Sequence, residues 1–158
     1  MTKDKEIRVL LDNIRSVHNV GSIFRTADCL GIKKIYCIGT TPVPLDRFKR
    51  KRKDFVKVSL GAEESVAWEY SGEAIEDIER LKKEGFKIVA IEQDEKSIKL
   101  ESLTFGGKTL LIFGNEVEGV SKVLLKHADV IAEIAMKGEK ESMNVSVTAG
   151  IAMYFLAS

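Results

Sequence analysis

Three polar segments adjoin apolar runs of the chain and carry side chains that could hold or activate a substrate. They are residues 13–27, 111–121 and 134–147, the first, second and third motif segments. Their side chains of interest are two amides, a guanidinium, a carboxylate and a hydroxyl: Asn19, Asn144, Arg25, Glu116 and Ser142. Such groups fix a nucleophile, stabilise a developing anion or take part in proton transfer. If the segments meet in the fold, these residues form a candidate site.

Each motif segment also has a structural explanation. Arg25 follows Phe24 in an otherwise apolar helical pattern, so we expect it to be partly buried, where a salt bridge to a nearby acid could be its only role. Glu116 lies in a glycine-rich turn before a helix, and a helix start favours an acid. Ser142 could serve only as the N-cap of the last helix. Asn144 is harder to explain, because a polar residue in an apolar helix needs a partner.

A basic segment, residues 47–53, has six cations in seven residues and one aromatic, Phe48. Cations with an interleaved aromatic can bind phosphates and stack on a base. The alternative is a solvated loop, and the two remain open, although the compensating acids are expected elsewhere in the chain. The candidate phosphate-binding residues are Arg47, Lys49, Arg50, Lys51, Arg52 and Lys53.

Strand-like and helix-like patterns alternate along the chain and would position these segments. The predicted strands are residues 7–11, 35–38, 87–91, 109–113 and 130–134, and the predicted helices are residues 20–30, 74–83, 121–127 and 142–156. Asn19 and Ser142 are predicted to cap the first and last helices. The alternation predicts an α/β fold, with a mainly parallel sheet and helices on both faces. Since the last helix is apolar on nearly every side, we also expect a homodimer.

Length and composition exclude several classes of protein. The chain has 158 residues, which fits a single domain over 1–158, and we expect a cytoplasmic protein with no membrane span. Cys29 and Cys37 form no CxxC pair and are expected to be buried, reduced thiols. The only histidines are His18 and His127, so no metal site is expected. Dinucleotide and P-loop fingerprints are absent from the sequence.

Taken in order, the three motif segments resemble the signature motifs of the SPOUT class, and within it the SpoU/TrmH family of RNA ribose 2′-O-methyltransferases. The first motif is carried by Asn19 with Arg25-Thr26-Ala27, the second by residues 113–119 and the third by residues 142–147. The resemblance covers nearly the whole chain. It departs at Ala135, where the family usually has proline, and at Met143, where it usually has leucine.

The resemblance implies a SAM-dependent methyltransferase that acts on tRNA or rRNA as a homodimer. Arg25 would act on the ribose 2′-hydroxyl, as a base or as a clamp for phosphate and alkoxide, and Asn19 would hold the geometry. Glu116, Ser142 and Asn144 would shape the site. The residues implied to bind SAM are Gly114, Ile134 and Met143, with the loop Ile38, Gly39 and Thr40 beside the adenosine.

The resemblance also implies a trefoil knot near the C-terminus, which periodicity could not predict. Two other functions remain open. A non-catalytic RNA-binding module could keep the fold and the basic segment without binding SAM. A flavodoxin-like nucleotide-binding domain ranks last, since it does not account for the polar residues of the motif segments.

Overall fold

The computed structural model describes residues 5–104 and 106–158, which form seven strands and six α-helices. The strands are β1 (Glu6–Asp12), β2 (Lys34–Ile38), β3 (Ala67–Ser71), β4 (Lys87–Ile91), β5 (Ile98–Lys99), β6 (Lys108–Gly114) and β7 (Val130–Glu133). The helices are α1 (Val17–Cys29), α2 (Lys53–Ser59), α3 (Ala62–Ser65), α4 (Ala74–Lys83), α5 (Lys122–His127) and α6 (Val145–Ala157). A 3₁₀ turn spans Leu100–Ser102.

The strands form one sheet in the order β3-β2-β1-β6-β4-β7-β5, and every neighbouring pair is parallel. The apolar sequences of the central strands favour this parallel arrangement. In β6, all residues after Lys108 are buried, as expected for a parallel strand covered on both faces. The predicted fold class is therefore confirmed.

Two layers of helices cover the sheet. On one face, α1, α2 and α6 pack on a core in which the rings of Phe24 and Phe55 meet edge to face, with centroids 5.1 Å apart. On the other face, α4 and α5 contribute Ile78, Leu81 and Leu124 to a second core. The bounds of α4 are those predicted from its apolar spacing.

Both predicted helix caps are wrong. Helix α1 starts at Val17, and the Ser16 side chain is its cap, accepting from the Asn19 N–H. Asn19 lies inside the first turn, so its side chain is available for another partner. Helix α6 starts at Val145, and its cap is Asn144 instead of Ser142. In each case two residues with good capping chemistry lie within three positions, and tertiary contacts select between them.

Two strands and two helices were absent from the predicted pattern: β3, β5, α2 and the four-residue α3. Strand β3 lies at the edge of the sheet, and its half-exposed residues give no continuous apolar run. Strand β5, at the other edge, has only two residues. Helix α2 begins at Lys53, within the predicted basic segment.

Parallel strands place their carboxyl ends at one edge of the sheet, where α/β proteins form ligand crevices. The first and third motif segments follow β1 and β7, and the second begins in the last part of β6 and continues beyond it. Strands β1 and β6 are neighbours, and β7 is separated from β6 only by β4. The motif segments therefore meet at this edge. The trefoil knot stays a prediction.

Candidate active site

Glu116 joins the second motif segment to the first. Its carboxylate accepts from the backbone N–H groups of Arg15 and Ser16, each at 3.2 Å, and from Nδ2 of Asn19 at 3.3 Å. These donors lie at the start of α1, where the helix dipole favours a negative charge. The prediction that Glu116 lies at a helix start is right in kind, but the helix is α1, which comes from another part of the chain.

The same contacts fix the ionisation of Glu116. Partial burial by itself raises the pKa of its carboxyl group, but hydrogen bonds from backbone N–H groups and from Asn19 outweigh that effect and lower the pKa below its ordinary value. Glu116 is therefore a carboxylate at neutral pH and accepts hydrogen bonds. An acceptor of this kind orients the Asn19 amide and the turn into α1.

Two glycines shape the turn that carries Glu116. A Cβ on Gly114 would lie 2.2 Å from the carbonyl carbon of Gly119 and 2.2 Å from the nitrogen of Val120. Gly119 has a positive φ of 74°, and a Cβ there would lie 2.3 Å from a carboxylate oxygen of Glu92. Close backbone packing, more than approach to a ligand, explains the need for glycine at 114.

A polar network that the sequence analysis did not assign to the site holds the strand ends together. Asp12 Oδ2 accepts from the Ser121 N–H at 2.8 Å, and the Asn115 amide donates to the Asn13 carbonyl at 2.7 Å. Glu92 Oε2 accepts from the Val120 N–H at 2.9 Å. The sequence feature that could have identified Asp12, Glu92 and Asn115 is their position directly at the ends of strands.

A cavity of about 440 Å³, the main cavity, opens at this edge of the sheet beside Glu116. It lies among the carboxyl ends of β4, β6 and β7 and the start of α6. Six predicted site residues line it: Gly114, Glu116, Ile134, Ser142, Met143 and Asn144. Its other lining residues are Ile91, Glu92, Gln93, Phe113, Asn115, Val117, Gly119, Glu133, Met136, Val145 and Thr148.

A second cavity lies on the α1 side of the glycine turn and shares Asn115, Glu116 and Val117 with the main cavity. Asn19 lines it, together with Arg15 and Ser16. Four of the five predicted catalytic residues therefore border two adjoining spaces. A small molecule in one and a second reactant in the other would meet at Glu116.

The main cavity has an acidic lining. Glu92, Glu116 and Glu133 border it, and the described lining residues include no lysine, arginine or histidine. Its apolar part comes from side chains such as Ile91, Ile134 and Met143. A cavity with apolar walls and carboxylates suits a small molecule that combines an apolar ring with a positive charge.

The third motif segment forms one rim of the main cavity. Asn144 Oδ1 accepts from the Ser146 N–H at 2.8 Å and from its hydroxyl at 2.6 Å, which supplies the partner that the sequence required. From the opposite rim, Gln93 Nε2 donates to the Glu141 carbonyl at 3.0 Å. Ser142, next to this contact, is exposed at the rim.

The loop Ile38, Gly39 and Thr40 does not line the main cavity, and its place beside an adenosine stays a prediction. It follows β2, which lies two strands from β6. The Thr40 N–H donates to Oδ1 of Asn13 at 2.9 Å, so the loop supports the turn after β1. The corresponding rim of the cavity is formed by residues 91–93, after β4.

Arg25 is exposed, not partly buried as predicted, and it lines neither cavity. It lies nine residues after Ser16, so it is about 13 Å further along the helix. Within residues 5–104 and 106–158, no hydrogen bond or ion pair forms at its guanidinium. The salt-bridge explanation of Arg25 is therefore not supported. Cys29, near the end of the same helix, is also exposed, and Cys37 is buried as predicted.

The basic segment is an ordered hairpin. Leu45 and Lys51 pair as an antiparallel bridge, and the Arg52 N–H donates to the Pro44 carbonyl at 2.8 Å. We call residues 44–52 the basic hairpin. The expectation that its compensating acids lie elsewhere is wrong for two of the three ion pairs, because Asp46 and Asp54 flank the cations in sequence. Arg50 pairs with Asp46, Arg52 with Asp54 and Lys51 with Glu64.

Two absences concern the described residues alone. None of their helices is long and apolar enough to cross a bilayer. Among the same residues, no three histidine, cysteine or acidic side chains are grouped so that they could hold a metal ion.

The chain resembles characterised proteins over most of its length. Residues 6–154 match the sequence model of the SpoU rRNA Methylase family. The chain is 30% identical over 152 residues to the tRNA (guanosine(18)-2′-O)-methyltransferase of Aquifex aeolicus. The aligned region covers 96% of this chain and 69% of that protein. It is also 30% identical over 152 residues to the 23S rRNA (guanosine-2′-O-)-methyltransferase RlmB of Acinetobacter baylyi, covering 96% of this chain and 59% of that protein.

A solved structure shows the same fold. The AdoMet-bound rRNA methyltransferase from Sinorhizobium meliloti superposes with a TM-score of 0.83 at 27% identity, over 99% of this chain and 57% of that one. The chain thus spans roughly three fifths to two thirds of the length of these relatives.

Proposed function

The chain belongs to the SpoU rRNA Methylase family, and from this premise we propose that it transfers a methyl group from SAM to a ribose 2′-hydroxyl of tRNA or rRNA. The observation that carries the proposal is the main cavity. Residues of the second and third motif segments line it, and Asn19 of the first segment reaches it through Glu116. The names of the relatives, which include tRNA and rRNA guanosine 2′-O-methyltransferases, support the same chemistry.

The lining of the main cavity fits SAM. Its volume lies within the range of about 300–1,000 Å³ that small-molecule sites occupy. Ile134 and Met143 would hold the adenosine part, and Glu92 and Glu133 would face the positive charges. When bound, SAM supplies a methyl group activated by a sulfonium. The residues of this chain must then orient the acceptor oxygen and manage its proton.

The polar residues at the glycine turn have separate parts in this task. Glu116 stays ionised and fixes the Asn19 amide beside the second cavity, where the acceptor ribose would lie. Arginine is normally always protonated, so Arg25 acts more readily as a cation than as a base. As a cation it would bind the RNA phosphate and stabilise the alkoxide that develops on the 2′-oxygen.

The position of Arg25 supports a homodimer. In one protomer Arg25 lies about 13 Å along α1 from the turn that Glu116 binds. A second copy could present its own Arg25 to this site. Helix α6 offers a surface for that contact, since Val147, Ile151 and Tyr154 form an apolar stripe and are 51%, 40% and 67% exposed. Large apolar side chains in one exposed stripe are typical of protein interfaces. We propose that Arg25 completes the site of the partner.

The basic hairpin is proposed to bind the RNA backbone. Arg47 and Lys49 of the hairpin, and Lys53 directly after it, form no ion pair within the described residues, so they are available for phosphates. The paired cations Arg50, Lys51 and Arg52 remain on the same hairpin and could exchange an acid for a phosphate. We further propose that residues 1–158 act as one catalytic domain, and that the protein works in the cytoplasm, where RNA substrates are found.

Isothermal titration calorimetry with SAM tests the proposal against the non-catalytic alternative. We expect SAM to bind the wild-type protein and not the Met143→Glu variant, in which a carboxylate replaces the apolar side chain proposed to hold the adenosine. The matched control is Val123→Glu, an exposed position on α5 away from the cavity. A folded protein that binds RNA and shows no heat with SAM would favour the RNA-binding module.

A further inference from the structure

We propose that the tip of the basic hairpin, residues 46–50, is a binding site for one unpaired RNA nucleotide, whose base stacks on Phe48. This inference rests on the proposed function only in taking RNA as the ligand. It adds a substrate class: RNA that presents a single-stranded loop or end, in preference to a continuous duplex.

The tip is built in advance. Asp46 Oδ1 accepts from the Phe48 N–H at 2.8 Å and from the Arg50 N–H at 2.9 Å. The Lys49 N–H donates to the Asp46 carbonyl at 2.9 Å, and Lys49 has a positive φ of 60°. One acid therefore closes the turn and fixes the backbone of Phe48. A ligand would not have to meet the entropic cost of ordering this loop.

Phe48 does not serve the core. Its side chain is 61% exposed, on a turn whose other side chains are charged. The guanidinium carbons of Arg47 and Arg50 lie 4.9 and 5.0 Å from the centre of its ring. An exposed aromatic ring between guanidinium groups offers a π surface for a base, with cations beside it for the attached phosphate.

The two arginines are not equivalent. Arg50 Nε lies 3.3 Å from a carboxylate oxygen of Asp46, so it is held at the tip. Arg47 has no acid partner within the described residues, so it can leave the ring for a phosphate without breaking an ion pair. A base could then take its place on Phe48 while Arg50 remains.

This arrangement selects unpaired RNA. Bases inside a duplex are stacked on each other and cannot expose a face to a side chain, whereas bases of loops and ends can stack on aromatic residues. Phosphate contacts alone would not distinguish the two forms, since both carry the same backbone charge. The preference for single strands should therefore depend on the Phe48 ring, and the salt dependence on the cations.

The test measures binding by fluorescence anisotropy with a labelled 12-nucleotide single-stranded RNA of mixed sequence and with the same strand annealed to its complement. Phe48→Ala should weaken single-strand binding roughly 5- to 100-fold, as expected for loss of one stacked base. Phe48→Trp and Phe48→Tyr should restore it. Duplex binding and the slope of affinity against salt should be unchanged in all three variants.

Two controls separate stacking from other effects. Neutralising Arg47 and Lys49 to glutamine should flatten the salt dependence for both RNA forms. Val123→Ala, which also removes an exposed apolar side chain, should change nothing. Thermal unfolding and SAM calorimetry on each variant show whether the fold and the main cavity are intact, so failure of SAM binding would count against the proposed function and not against this site.

The proposal is overturned if Phe48→Ala binds the single strand as tightly as the wild type, or if it loses single-strand and duplex binding in equal measure. The same holds if Phe48→Trp fails to restore the affinity in a folded protein.

Discussion

The side-chain amide of Asn19 donates to the carboxylate of Glu116 across 3.3 Å, which joins the helix after β1 to the turn after β6. The two residues come from separate motif segments; both line the second cavity, and Glu116 also lines the main cavity. Helix α1 thereby holds a fixed position relative to the cavity proposed for the methyl donor. We expect the relative position of the methyl donor and the ribose acceptor to depend on this contact.

Glu116→Gln should reduce methyl transfer at least tenfold, because the neutral amide accepts fewer and weaker hydrogen bonds from α1. SAM affinity should change less, since most of the main cavity is intact. The matched control is Glu101→Gln, an exposed acid that lines neither cavity. Steady-state kinetics measure the rate of methyl transfer, and calorimetry measures SAM affinity. Equal transfer rates for the two variants would remove Glu116 from the site.

The same variant should alter the pH dependence of stability. Because folding lowers the pKa of Glu116 below its ordinary value of 4.5, its ionised form stabilises the fold above that pH, and this contribution is lost as the pH falls through the lowered pKa. The difference in Tm between the wild type and Glu116→Gln should be constant from about pH 6 to about pH 8, where Glu116 is ionised in both the folded and the unfolded protein. The difference should shrink in acid, where the carboxyl group is protonated. A difference that grows on acidification would contradict the lowered pKa.

Gly114→Ala should destabilise the protein by about 1–3 kcal/mol and abolish measurable SAM binding, because the new Cβ meets backbone that cannot rotate away. The matched control is Gly138→Ala, where a Cβ would have no neighbour within 4 Å. Thermal unfolding and calorimetry check both substitutions. Wild-type stability in Gly114→Ala would show that the turn from Gly114 to Val120 is looser than its geometry indicates.

Glu133→Gln should narrow the preference for SAM over S-adenosylhomocysteine by about two- to fivefold, as expected for one partly exposed charge. The product lacks the sulfonium charge, so a carboxylate on the cavity wall favours the donor. The Ser97 hydroxyl donates a hydrogen bond to Glu133 Oε1 at 2.9 Å, and the glutamine side chain keeps an oxygen that can accept it. The matched control is Glu139→Gln, an exposed acid of the loop after β7 that does not line the cavity. An unchanged ratio of dissociation constants would mean that Glu133 does not sense the charge.

Mixing two inactive variants tests whether Arg25 acts on the partner's cavity. Arg25→Ala and Met143→Glu are each expected to be inactive alone. After subunit exchange, about half of the dimers are mixed, and each has one site with both an intact cavity and an intact partner Arg25, so about a quarter of wild-type activity should return. A mixture that forms dimers by sedimentation and stays inactive would place Arg25 within its own protomer's site or outside the mechanism.

Much of the fold follows from local pattern. Helix α4 and strand β4 have the predicted bounds, because their apolar spacing is regular and charged residues flank them. The meeting of the motif segments also follows, since each lies at the carboxyl end of a parallel strand. The position of the loop after β2 did not follow, because strand order decides which loops border a cavity and the sequence contains no direct signal of that order.

Other errors have local causes. The sequence predicts Asn19 as a helix cap, but Ser16 fills that role, and the Asn19 side-chain amide binds Glu116 instead. Arg25 was expected to be partly buried because its neighbours are apolar, but its own position faces solvent. Asp46 and Asp54, the acids that pair with Arg50 and Arg52 of the basic hairpin, lie beside these cations in the sequence.

The most direct test of the central claim follows the methyl group. The purified protein is incubated with SAM carrying a radiolabelled methyl group and with unmodified tRNA and rRNA, and the RNA is digested to nucleosides. We predict label in a 2′-O-methylated nucleoside with wild-type protein and none with Arg25→Ala that retains its fold. Label on a base, or no label with a protein that binds both SAM and RNA, would contradict the account.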